Sequence, residues 1–161
     1  MTADWHDFFV ATAGAGAALA GLIIVAMSVN IAKIIAIPTM PSRAGATVGS
    51  LVLIVVVAVA GLIPGQATWA LGLETVVFAL VAAALYIDAA WRTITKRGDW
   101  PLLPSIIKAA LGPIQIAPFV VGGALLIGQS PAGLYWVAAG VLMVFIGSVV
   151  NAWVLLVEIL R

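Results

Sequence analysis

Glu74 is the residue of this chain best placed by type and surroundings to do chemistry. It stands in Leu73-Glu74-Thr75, inside an apolar run that opens at Ala67. That is about 10 Å along a helix rising ~1.5 Å per residue. An acid inside such a run marks a functional site by default, because charge is costly in hydrocarbon. Two roles are open to it. One is a neutral acid that hydrogen-bonds a neighbouring helix, and the other is an ionised group that binds or passes cations. Side chains at a matching level are Thr12, Gln66, Trp69, Gln129, Tyr135 and His6.

A second set of polar residues falls deeper. Counted from the same side, Asn30, Asp88 and Asn151 lie ~28–33 Å in. Ser28, Ser148, Thr47 and Ser50 are at similar or slightly shallower levels. Lys33, Arg92 and Glu158 surround them, and Asp88–Arg92 is an i,i+4 pair of favourable orientation. The layer reads as an interhelical hydrogen-bond belt, a docking place for lipid headgroups or a partner, or an inner vestibule for ions or water.

Enzyme chemistry has no visible apparatus. His6 is the single histidine, and although Asp4 and Asp7 flank it, one imidazole and two acids in a short tail do not make a metal site. There is no Cys, no Walker loop, no HExxH, and no Ser–His–Asp set at a shared depth. We expect no catalytic residue, no metal and no cofactor.

The elements that position these residues follow from composition. Of 161 residues, 65% are hydrophobic and 8% charged, and the mean hydropathy is +1.26. Soluble chains carry about 25% charged residues, so a soluble globule is excluded. The net charge of +1 excludes the basic field that nucleic-acid binding needs. A bilayer-crossing helix takes roughly 20 apolar residues, and five such runs are present, at 8–36, 44–63, 67–91, 105–128 and 132–159. The breaks have chemical causes: Pro38, Pro41 and Ser42, then Pro64-Gly65, then Trp100-Pro101 and Pro104, then Gly128 to Pro131. Ser105 is placed to cap the fourth helix. The expected fold is one all-α domain over 1–161, an integral membrane bundle of five transmembrane helices.

Charge sets the expected orientation. With five spans the cations Lys33, Arg43, Arg92, Lys96, Arg97, Lys108 and Arg161 fall on one side, and Asp4 and Asp7 on the other. By the positive-inside rule the N-terminus is outside and the C-terminus inside, in a bacterial cytoplasmic membrane. The tryptophans form two belts, Trp5, Trp69 and Trp136 against Trp91, Trp100 and Trp153. The acidic opening is not that of a cleavable signal peptide, so the first helix is expected to remain.

Helices associate in lipid through small residues and interhelical hydrogen bonds. The first span offers Ala13, Ala17 and Gly21, with Gly14 and Ala18 beside them, and the fifth offers Gly133, Gly140 and Gly147. Either face can pack within the chain or against a second copy. The fourth span carries Gly112-Pro113, Gln115 and Pro118, which predict a kink, or a broken helix exposing backbone to a solute. A weak repeat relates Leu62-Ile63-Pro64-Gly65-Gln66 to Leu126-Ile127-Gly128-Gln129, as in a duplicated hairpin.

The opening Asp4-Trp5-His6-Asp7-Phe8-Phe9 is followed by a helix ending Ala26-Met27-Ser28-Val29-Asn30. Together with Pro38 and Pro41-Ser42-Arg43-Ala44 it resembles a family of small bacterial multi-spanning membrane proteins of unknown function. The likeness extends through Pro64-Gly65-Gln66 and Gly72-Leu73-Glu74. Some members are named as modulators of a membrane-anchored ATP-dependent protease. The resemblance assigns no residue a role.

Two functions are expected from these features. The first is a non-enzymatic scaffold or regulatory subunit, homo-oligomeric, that docks membrane lipids or a membrane protein at its basic rim. The second is an oligomeric cation or proton pathway using Glu74 and the inner polar layer.

Overall fold

The computed structural model describes residues 3–95 and 102–160. Lys96, Arg97, Trp100 and Arg161 lie outside them, as do the side chains of Lys108, Ser105 and Glu158. After a short 3-10 turn at Ala3–Trp5 come α1 (His6–Val29), α2 (Ile31–Ala36), α3 (Met40–Gly61), α4 (Thr68–Thr95), α5 (Leu102–Ile114), α6 (Ala117–Ile127) and α7 (Ala132–Leu160). No strand occurs among the described residues. Five helical stretches are long and apolar enough to cross a membrane, the fourth being Ala110–Ile127 across the junction of α5 and α6. The protein is an all-helical, multi-pass membrane protein.

Two of the expected spans are broken, each for a local reason. The first run, 8–36, divides at Asn30, whose Nδ2 donates to the Ala26 carbonyl at 3.1 Å. An α-helical Asn30 N–H would use that acceptor; it bonds Met27 O instead. The fourth run, 105–128, divides at Gln115-Ile116, where the Ile116 N–H turns back to Pro113 O. Pro118 has no N–H to offer Ile114 O, and a proline suits the first turn of a new helix, which α6 is.

Helix starts also moved. The third helix begins at Met40, not 44, because Pro41 sits in its first turn, where proline is tolerated. For the same reason Pro104 falls in the first turn of α5, so Ser105 is inside the helix and not its cap. Between α6 and α7 the chain closes a Schellman turn: the Ser130 N–H bonds Leu125 O and the Gln129 N–H bonds Leu126 O, both at 2.9 Å. Gln129 takes the left-handed conformation there (φ 57°), as Gly65 does in the other tight turn (φ 72°).

The helices pack in the order α1 on α3, α3 on α4, α4 on α6 and α6 on α7, with α7 returning to touch α3 and α1. Glycine governs the closest of these contacts. A Cβ on Gly72 of α4 would stand 2.6 Å from the Gly123 carbonyl oxygen, and one on Gly133 of α7 would stand 2.6 Å from the Gly122 carbonyl oxygen. The Gly122-Gly123 pair thus lets backbones approach α6 on two sides. Phe9 of α1 lies on Gly61 of α3, and Phe119 of α6 on Gly140 of α7. Leu51, Ile54, Leu71, Phe119, Leu126 and Val144 fill the centre. Leu22, Val29, Ile35, Leu80, Val81, Leu142 and Ile146 lie outward, as lipid contact requires.

Candidate functional site

Three polar side chains from three spans meet inside the bundle. Gln115 Nε2 donates to the Tyr86 hydroxyl at 2.8 Å, and that hydroxyl shares a hydrogen bond of 3.2 Å with Ser50 Oγ. Ser50 Oγ also donates to Thr47 O at 2.8 Å, and all three residues are buried. Their levels match for a geometrical reason. Ser50 and Gln115 each lie ~20 Å from the tight-turn end of their spans. Tyr86 starts deeper, but a helical side chain leans toward its own N-terminus, which for α4 carries the phenol back to that level. Gly112 and Gly147 leave room for the cluster: a Cβ at either would strike Tyr86 or Gln115. In the sequence Gln115 stands among the kink residues of the fourth span, and nothing local ties it to Tyr86 of the third. Their common level was the available signal.

The expected inner polar layer is not one connected layer. Asn151 Nδ2 donates to Thr47 Oγ1 at 3.5 Å, linking α7 to α3, and Thr47 Oγ1 donates to Arg43 O. Ser28 is exposed and its hydroxyl donates to Ile24 O of its own helix, while the Asn30 side-chain amide donates to Ala26 O. Asp88 is exposed too and accepts from Arg92 Nε at 2.8 Å, an exposed i,i+4 pair that solvent screens. Ser148 is buried, and its Oγ has no hydrogen-bond partner among the described residues. The separation follows from helix rotation, because equal depth does not give an equal facing.

Glu74 is half-buried near the tight turn and accepts a hydrogen bond of 2.7 Å from Gln66 Nε2. The other five side chains at that level make no hydrogen bond to it. Below it on the buried face of α4 come Thr75, whose Oγ1 donates to Leu71 O, and then Ala79 and Ala82. Between Thr75 and Tyr86 this helix carries no polar side chain, so nothing on it links Glu74 to the Ser50–Tyr86–Gln115 cluster. His6 bonds Asp7 at 3.3 Å at the exposed rim, and no metal-binding group of His, Cys, Asp and Glu occurs among the described residues.

The two small-residue faces part company. Gly133, Gly140 and Gly147 pack against Leu126, Phe119 and Gln115 of the same chain. On α1 the packed face is Phe9, Thr12, Gly16 and Ile23, while Ala13 is half-buried and Ala17 and Gly21 look outward. Gly14 and Ala18 are also exposed, and a Cβ at Gly14 or Gly21 would meet nothing within 4 Å. Of the basic rim, topology brings Lys33, Arg43 and Arg92 to one end of the bundle. Lys33 and Arg92 are exposed and Arg43 is half-buried.

Family models, curated proteins and solved structures show no match to this chain.

Proposed function

We propose that the protein is a non-enzymatic scaffold or regulatory subunit of the bacterial cytoplasmic membrane. It self-assembles through α1 and docks anionic lipid or a membrane partner at its basic rim. The observation that carries this reading is the outward face of Gly14, Ala17, Ala18 and Gly21, which is suited to close helix contact and is left uncovered by the described residues. The apolar stretch between Glu74 and the buried cluster favours this reading over a cation pathway. Ala17→Leu and Gly21→Leu, alone and together, should shift cross-linked or light-scattering mass toward the monomer without lowering helix content. Gly16→Leu, on the packed face, should instead weaken the fold. If both outward variants keep the mass of the unaltered protein, assembly does not use α1.

The reading places the basic rim in the cytoplasm. A cysteine replacing Lys96 should resist an impermeant thiol reagent in intact cells, and one replacing Thr2 should react. The opposite labelling pattern would invert the topology and put the rim outside.

A further inference from the structure

The two halves of the fourth span, parted at Gln115-Ile116, share α4 as a neighbour but not α7. α6 is held between α4 and α7, whereas α5 rests mainly on α4. Between α5 and α7 this leaves a cleft of about 490 Å³, a size ordinary for a ligand site. Its floor is α4 from Tyr86 to Thr93, a length of ~10 Å. Its edges are Leu111 and Ile114 on α5 and Met143, Ile146 and Val150 on α7. Those edge residues are all exposed on the outside of the bundle. The cleft therefore opens sideways, where acyl chains lie, and not only toward water.

Arg43 lines the cleft at the basic end, beside Asn151 and Thr93. Its guanidinium has no ion-pair partner among the described residues, and the Asp88 carboxylate of α4 is taken by Arg92. A half-buried cation bordering an apolar cleft calls for an anion from outside the chain. Guanidinium matches phosphate in charge and in its forked donor geometry. An anion that brings its own apolar chain would satisfy both the cation and the walls.

We propose that this cleft binds an anionic phospholipid, its phosphate at Arg43 and one acyl chain laid between α5 and α7 toward Gln115. The proposal deepens the lipid-docking part of the function above and rests on it, while adding a defined seat in place of a diffuse basic rim.

The test uses the purified full chain in detergent. It is titrated with phosphatidylglycerol carrying a photoactivatable acyl chain, and separately with the matching phosphatidylcholine. Phosphatidylglycerol should be preferred, and its label should concentrate in 111–114 and 143–150. Arg43→Gln should weaken phosphatidylglycerol binding on the order of tenfold, the effect of one charge-assisted contact. Arg43→Lys should fall between the two. Arg92→Gln should change nothing, since that cation is exposed and paired outside the cleft. Ala90→Phe fills the floor while leaving Arg43 in place, so it should remove the label from both segments even where Arg43→Gln folds poorly. Equal weakening by Arg43→Gln and Arg92→Gln would overturn the cleft and leave rim docking standing. Label spread evenly over all lipid-facing helices would do the same. No preference for phosphatidylglycerol by the unaltered protein would overturn both.

Discussion

Gly123→Ala should unfold or markedly destabilise the bundle, although it adds a single methyl group in mid-helix. The added Cβ would stand 2.7 Å from a Val76 methyl and 2.8 Å from the Gly72 carbonyl oxygen. The side chain can rotate away, but the backbone oxygen moves only if α4 moves. Gly122→Ala meets the Gly133 carbonyl oxygen at 2.8 Å in the same manner, on the side of α7. Overpacking costs ~1–3 kcal/mol in ordinary cores. The upper end applies here, because backbone blocks the Cβ at both positions. Gly21→Ala supplies the contrast. Its Cβ meets nothing, and alanine in a helix interior is favoured over glycine by ~0.5–1 kcal/mol. The three variants, melted in one detergent and followed by circular dichroism, should separate by sign: Gly122→Ala and Gly123→Ala down, Gly21→Ala level or up. A melting temperature for Gly123→Ala matching that of Gly21→Ala would mean that α4 and α6 are not in backbone contact.

Removing the Tyr86 hydroxyl should cost about 1–2 kcal/mol. Tyr86→Phe leaves Gln115 Nε2 without its acceptor and deprives Ser50 of its cross-helix partner, though Ser50 keeps Thr47 O. An orphaned buried polar group costs ~1–3 kcal/mol, and measured hydrogen bonds between membrane helices average ~0.6 kcal/mol with a maximum near ~1.7. The lower scale sets the expectation. Gln115→Leu should cost less than Tyr86→Phe, because Tyr86 still has Ser50. The double variant should cost less than the sum, by a coupling of ~0.6–1.7 kcal/mol. Strict additivity in a denaturation cycle would show that the two side chains do not share a bond.

Much of the architecture is legible in the sequence, for reasons of length and locality. Whether a segment can cross a bilayer depends on ~20 consecutive residues, so five runs are readable in the sequence, and five helical stretches are long and apolar enough to cross. The Asp88–Arg92 pair is fixed by helical periodicity within one segment, and both tight turns fell at their glycine- and proline-rich breaks. Span counting likewise separated Lys33, Arg43 and Arg92 from Asp4 and Asp7. The partner of Glu74 was one of six named from depth alone.

What depended on tertiary structure was facing and close approach. Depth along a helix is additive in residues, but rotation about its axis is set by neighbours. Ser28, Asn30 and Asp88 therefore share a level with Asn151 and still do not meet it. Gly133, Gly140 and Gly147 turned inward while Ala17 and Gly21 turned out, although both rows look alike in sequence. The Gly122-Gly123 contact and the Ser50–Tyr86–Gln115 cluster each join segments distant along the chain. The cleft beside Arg43 lies where the fourth span, broken at Gln115-Ile116, keeps α4 as a neighbour of both halves but packs on α7 through α6. Two prolines made that break chemically available. Where each half came to rest was decided by the surfaces of α4 and α7 against which it packed.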